Sequence, residues 1–407
     1  MSLEVDNLLA DEQFFQDPHT IFHQLRGEAP VCWSDNWNAW ILTRYDDVMS
    51  VMRQTDVFSS AGRISYLLDS LPDDLRETLT RLERHYEIGV AHSDPPDHTR
   101  LRSLINKVFT PRMVETWKPK IEQVTDELIA AMLDKEQPDI IADVAYPLPA
   151  TIIAQMIGAP PEDIHLFRDW AVDINRLFEL GGRMNGEAAK NAQNSLFSMR
   201  EYILKLVELR RKHPQDDIIS RFVSAEEKLS IDELVSTCVT LFVAGHETTT
   251  NLISNGIYLL LTHPEQMWIL QQNPEKIDNA IEEILRFEPS VPRAWRLAKN
   301  DVTIGDKLIK AGSLIFPMLS AANRDPQHFS QPDKFLIERE HNKHLAFGYG
   351  IHFCLGAPLA RVEAAIAIQK LIHIPRLELK RQASWCHDVA IRRLDSLSID
   401  ANRMPGG

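Results

Sequence analysis

Residues 347–356 read FGYGIHFCLG. The stretch gathers three glycines and one of the four cysteines of a 407-residue chain. A cysteine buried for packing needs no such setting. A sulfur that must be brought against a large flat group does, because glycine lets the backbone approach closely. Phe347 is placed to shield that sulfur from water. Leu355-Gly356-Ala357-Pro358 then opens a helical pattern, whose N-terminal amides and dipole favour sulfur as an anion.

The rest of the chain is compatible with a site of that size. Apolar residues make up 44% and charged residues 25%, the balance of an ordinary globular protein with room for a sizeable core. The net charge of −14 argues against a nucleic-acid partner, which leaves a basic footprint. Cys32, Cys238, Cys354 and Cys386 show no paired spacing, as expected for a reducing, cytoplasmic setting rather than a disulfide framework. The acidic start MSLEVDNLLADEQFF reads as neither signal peptide nor membrane anchor. The most apolar window, 234–245, is far below the roughly 20 residues that span a bilayer.

Helical periodicity dominates. Helices are expected at about 113–133, 164–178, 188–212, 231–262, 274–287 and 358–371. WNAWILTRYDDVMSVMRQ (37–54) reads as a strand running into a helix. Alternation around 300–320 reads as a small antiparallel hairpin. The expectation is a mainly α single unit over 1–407, a large helical body with a small β-rich lobe drawn from the two chain ends.

LFVAGHETTTN (241–251) interrupts an apolar helix with polar side chains. Burying His246, Glu247, Thr248 and Thr249 is unfavourable unless they are hydrogen-bonded or hydrated. Gly245 reads as clearance for a ligand lying on the helix beside Ala244, and an acid next to an alcohol suits proton delivery.

Thiolate ligation of haem iron promotes cleavage of the O–O bond, and the Phe-x-x-Gly-x-x-x-Cys-x-Gly spacing resembles the haem-binding signature of the cytochrome P450 monooxygenases. Landmarks in the family's order extend that resemblance over nearly the whole chain. It implies Cys354 as axial ligand of haem b, within a loop including Phe347, Gly348 and Gly356. It assigns Thr248 to handling bound oxygen and Glu247 to proton relay. His98 and Arg102, four apart on one helical face, with Arg296 and His352, match positions that bind the haem propionates. Glu283-Ile-Leu-Arg286 matches the family's structural Glu-x-x-Arg pair. By itself that spacing means little, since 58 acids and 44 bases produce about six by chance. The stretch 323–335 is expected to add a third basic partner, although Lys334 stands where many relatives carry Arg.

EPSVPRAWRLA (288–298) borders the substrate cavity in the family, so Val291 and Arg293 are candidate substrate contacts. Arg293 either anchors an anionic substrate or turns outward or joins the propionate contacts. Segments 61–90 and 167–194 are expected to form the lid. The expected activity is insertion of one atom of dioxygen into a small-to-medium organic substrate by a monomer. Electrons would come from NAD(P)H through a reductase and a ferredoxin or flavodoxin, docking near Arg100, Lys107, Arg112, Lys343 and Arg361. The competing readings are a peroxide-driven haem-thiolate enzyme and a non-catalytic haem sensor or carrier.

Overall fold

The computed structural model describes residues 4–178 and 183–401. Its axis is one helix, Ile231–Thr262. Ser230 accepts a hydrogen bond from the Glu233 N–H, and the Glu233 carboxylate accepts from the Ser230 N–H, which satisfies two of the helix's orphan donors. His263 and Pro264 end it. Its sequence is apolar nearly all round because other helices cover it: Pro147–Ile157, Gly186–Lys212, Ile277–Phe287 and the cysteine-loop helix Ala357–Leu371. At Gly256 a Cβ would stand 2.7 Å from Ile368 Cδ1 and 2.9 Å from Ile284 Cδ1. Glycine there lets three helices touch.

The long helices fall where periodicity places them, with shifts at the ends. Pro111–Leu133 starts earlier because Thr110 caps the Met113 N–H. The 164–178 pattern is an α-helix over Ile164–Asn175 finished by a tighter turn, Arg176–Phe178.

Seven short strands build the β lobe: β1 Val31–Ser34, β2 Ala39–Leu42, β3 Phe58–Ser59, β4 Arg296–Ala298, β5 Val302–Ile304, β6 Lys307–Ile309 and β7 Leu314–Pro317. The main sheet runs β1-β2-β7-β4-β3, with β2 and β7 parallel and Trp40 opposite Ile315. Two expectations need correcting here. Only β5 and β6 make the hairpin; β7 leaves it for the middle of the main sheet, since all four of its residues are buried. The lobe also pairs the N-terminal strands with residues 296–317 rather than with the C-terminus, which contributes a separate pair, Glu378–Leu379 with Ile399–Asp400.

Two buried charge networks tie these parts together. Glu283 and Arg286 are fully buried and bonded twice at 2.8 Å. Arg286 also donates to the carbonyls of Asn323, Pro332 and Lys334. Their third partner is Arg339, whose Nε donates to Glu283 at 2.9 Å. The 323–335 stretch supplies carbonyls instead, so Lys334 contributes its backbone and no cation to this network. The second hub is Glu288, which accepts from His19 (2.9 Å), Arg324 (3.1 Å) and Arg392 (3.1 Å). Burial alone pushes that carboxyl up; Arg392, His19 and Arg324 together overcome it and hold it well below the usual carboxylate range. Among the described residues no helix is long and apolar enough to cross a membrane.

Candidate active site

The cysteine loop is held in shape by its backbone. Gly348 and Gly350 both sit at φ +75°, a conformation disfavoured for side-chain-bearing residues. A Cβ at Gly350 would also lie 3.1 Å from the Met52 carbonyl oxygen. The Cys354 N–H donates to the Phe347 carbonyl at 2.9 Å and closes the loop. Gly356 has ordinary helical backbone angles, and a Cβ there would stand 3.9 Å from the Cys354 sulfur. That is an ordinary contact, so no described protein atom requires glycine at this position. Burial pushes the Cys354 thiol up, while the N–H groups of Gly356 and Ala357, with Arg102 and Arg361, pull it down. These donors are aimed at an anionic sulfur.

Arg361 was expected only as one of several surface cations. It grips Glu282 with two hydrogen bonds, at 2.7 and 2.8 Å, and lies over the Phe347 ring at 4.6 Å. It therefore braces the loop from the following helix. Its signal in the sequence was position alone, seven residues, or two turns, beyond the cysteine.

The central helix packs against Ala357–Leu371, the helix that follows the cysteine. Although most of its length is buried, Ala244 is exposed and Glu247 and Thr248 are partly so. One face in mid-helix is thus left uncovered by protein. Ala244 and Thr248 share it, being four apart, and the Thr248 hydroxyl donates to the Ala244 carbonyl at 2.6 Å. Gly245 is rotated about 100° from that face, and a Cβ there would meet Ile153 at 3.7 Å. Clearance on the open face therefore comes from Ala244, with Gly245 turned to the neighbouring helix. Glu247 accepts from Asn175 Nδ2 and lies 4.0 Å from Arg393 Nε. His246 packs against Tyr146 and Phe242; burial, with Arg168 nearby, lowers it to about 4, so it is neutral at pH 7.

The residues expected to hold propionates converge. His98 and His352 have ring centroids 4.2 Å apart. Both His98 nitrogens, His352 Nε2 and Arg296 Nε are buried without a hydrogen-bond partner among the described residues. Arg102, on the same helix as His98 (Asp97–Val108), donates to the Phe353 carbonyl at 2.8 Å. Burial and neighbouring cations lower His352 to about 3, and burial lowers Arg296 to about 10. The nearby carboxylate, Asp94, is already taken by Lys299, Ser59 and the Ser60 N–H. A buried group of donors short of an anion, beside a cysteine with amides aimed at its sulfur and a cleared helix face, fits the propionates, iron and ring of a haem.

Beyond this set, Val291 is half-buried. Arg293 neither turns outward nor joins the histidines: it is buried, donates to the carbonyls of Val389 (2.8 Å) and Phe178 (3.4 Å) and stacks on Phe316. Of the expected lid, residues 179–182 lie outside the described residues.

Comparison with known proteins agrees with this geometry. The Cytochrome P450 family model matches residues 7–386. The chain is 39% identical to Cytochrome P450 CYP107DY1 of Priestia megaterium over 89% of each chain. It is 33% identical to the 6-deoxyerythronolide B hydroxylase of Saccharopolyspora erythraea, over 96% of this chain and 98% of that one. Among solved structures, P450BioI in complex with acyl carrier protein ligated to hexadec-9Z-enoic acid superposes with a TM-score of 0.89 at 33% identity, over 96% of this chain and 99% of that one. The chain belongs to the cytochrome P450 family of haem-binding monooxygenases.

Proposed function

We propose that this chain binds haem b through Cys354 and inserts one atom of dioxygen into a small-to-medium organic substrate, with electrons delivered from NAD(P)H by a reductase and a separate ferredoxin or flavodoxin. Bound there, the haem would supply the iron at which dioxygen is reduced. The observation that carries the reading is the meeting of two independent sets. One is a cysteine at a helix N-terminus. The other is the buried group of His98, Arg296 and His352, whose donors lack an anion.

The protein's own residues divide the work. His98, Arg102, Arg296 and His352 would orient the cofactor by charge-assisted hydrogen bonds to its carboxylates. Phe347 would keep water from the sulfur, Gly348 at positive φ would set the turn that brings the loop in, and Gly356 would let the backbone pass close to the cofactor. On the opposite side, Ala244 offers a low surface. The Thr248 proton is engaged by the Ala244 carbonyl, which leaves the hydroxyl's lone pairs to accept a hydrogen bond from the cavity. Glu247, held by Asn175 and near Arg393, is the group that passes protons inward. This acid–alcohol pair favours dioxygen over a peroxide-driven reaction.

Tyr349, Ile351 and Phe353 of the cysteine loop are exposed, and Arg112 and Lys343 are exposed as well. Such a surface suits an acidic redox carrier. Arg100 and Lys107 are already paired with Glu233 and Glu227, so they are weaker candidates for docking. A cytoplasmic monomer is the simplest setting for this arrangement.

The test is the reduced, carbon monoxide-bound spectrum, followed by turnover with surrogate partners. The long-wavelength thiolate band should appear and should vanish in Cys354→Ala. Substrate-dependent NAD(P)H and oxygen consumption should yield a mono-oxygenated product. A band that survives Cys354→Ala refutes the ligand assignment. Turnover with peroxide alone, or haem binding without any turnover, replaces the monooxygenase reading with a peroxygenase or a carrier.

A further inference from the structure

Among the described residues, one buried cation outside the haem-binding set has neither a counter-ion nor a hydrogen-bond partner for its side chain. Arg63 opens the short helix Arg63–Leu68, is 8% exposed, and its Nε lacks a partner. Among the described residues it makes no hydrogen bond or ion pair. Its guanidinium lies instead between two aromatic faces, 4.4 Å from Phe178 and 4.9 Å from Trp295. Tyr86 and His92 close the sides: Tyr86 packs edge-on to Phe178 at 6.1 Å and to His92 at 4.9 Å, and His92 stacks on Trp295 at 5.4 Å. His92 Nε2 is a second buried polar atom without a partner.

The surroundings add charge of the wrong sign. Burial and the nearby Arg293 both pull the Arg63 guanidinium well below its usual range. Arg293 is not equivalent to it, because two of its nitrogens are already used by the carbonyls of Val389 and Phe178. Contact with aromatic faces offsets part of the desolvation of a buried guanidinium, but it leaves the in-plane N–H donors unused. Those donors form a fork that matches a carboxylate.

Position indicates whose carboxylate this is. Arg63 and His92 lie in the 61–90 lid segment and just beyond it, and Phe178, which ends the turn Arg176–Phe178, lies within the second lid segment, 167–194. Trp295 directly precedes Arg296 of the propionate set. The box therefore stands between the lid and the haem-binding residues, with walls suited to an apolar chain.

Building on the monooxygenase reading, we propose that Arg63, with His92 beside it, anchors the carboxylate of a free, apolar organic acid, so that the substrate is a fatty-acid-like acid rather than its neutral alcohol or a carrier-bound thioester. The acid end is held at the aromatic box and the hydrocarbon is left for oxidation.

The test uses the haem-loaded full chain and the haem spin-state shift on titration with hexadec-9-enoic acid, the matching alcohol and the methyl ester. Wild type should bind the acid about 10- to 100-fold more tightly than either neutral ligand, as expected for a buried charge-assisted pair. Arg63→Gln should remove that preference while leaving alcohol affinity within about threefold. Arg63→Lys should restore part of it. Equal wild-type affinity for acid and alcohol overturns the proposal, as does parallel loss of both ligands together with haem in Arg63→Gln, which would make Arg63 a cofactor contact. Each sample's reduced carbon monoxide spectrum separates the two readings. An intact thiolate band without acid preference rejects only the anchor, whereas a missing band in wild type rejects the monooxygenase assignment itself.

Discussion

Replacing Glu288 by glutamine leaves the shape of the second charge hub and removes its charge. The carboxylate accepts from His19, Arg324 and Arg392, and the side chains of all three partners are less than 10% exposed. After the substitution Arg392 loses its carboxylate partner and Arg324 keeps only the looser pair with Asp333 at 3.7 Å, although Arg324 keeps its bonds to the Phe287 carbonyl and Arg392 those to Phe15 and Gln16. Removing one partner of a buried ion pair costs about 3–5 kcal/mol. The amide oxygen still accepts one bond, so the lower end, about 3 kcal/mol, is expected. With a urea slope of about 3 kcal/mol per molar, the unfolding midpoint should fall by about 1 M, followed by far-ultraviolet circular dichroism on haem-loaded protein at pH 7.5. The pH dependence supplies a second reading. The folded carboxyl titrates below the unfolded value of 4.5, so its stabilisation is complete above that value and declines as pH falls below it. Wild type should lose this increment below about pH 4.5, and Glu288→Gln should lack that part of the slope. A midpoint shift of under 0.3 M, or an unchanged acid slope, would show that desolvation cancels the hub and refute the reasoning.

Other outcomes follow from the site. Thr248→Ala should keep the thiolate band but divert electrons, with oxygenated product per NAD(P)H falling at least about tenfold; unchanged coupling in a product assay would exclude Thr248 from oxygen handling. Arg296→Leu should weaken haem retention about 10- to 100-fold, the worth of one charge-assisted hydrogen bond, measured by transfer to apomyoglobin. Gly350→Ala, at φ +75° and against the Met52 carbonyl, should cost about 1–3 kcal/mol of backbone strain, read as a lower thermal midpoint. Burial holds His246 neutral at about 4 against 6.5 when unfolded, so the folded state binds fewer protons and stability falls as pH drops from 6.5 towards 4; His246→Phe should flatten the slope of stability in that window.

Local chemistry made much of the site legible. The cysteine loop and the acid–alcohol pair each lie within a few residues, so spacing and turn chemistry mark them as candidates, whereas the Glu283–Arg286 pair stands out only through the family resemblance, its spacing being common by chance. Local signals also mark the limits of the central helix, at Ser230 and Pro264, whereas the helix capped by Thr110 begins two residues before the expected 113. What stayed hidden was set by distant segments. Nothing near Glu288 announces His19 or Arg392, 269 and 104 residues away. Arg339 took the role sought at 323–335 because chain direction, invisible in residue type, aims its guanidinium back at Glu283. Strand β7 looked like part of a hairpin because alternation cannot show which strand lies beside it. Arg63 reads as one more surface arginine until the fold encloses it in aromatic rings.

The parallel pairing of β2 with β7 has a consequence for biosynthesis. Trp40 faces Ile315, so the first strands leave the ribosome about 275 residues before their neighbour exists. At 5–20 residues per second the wait is about 14–55 s, during which Ile41 and Leu42, fully buried in the finished sheet, have no β7 to cover them. Most helices around the central axis precede β7 and can assemble meanwhile, although Ala357–Leu371 follows it. The main sheet cannot close before β7 emerges, and its early strands are where a chaperone would be needed and where aggregation in overexpressing cells should begin.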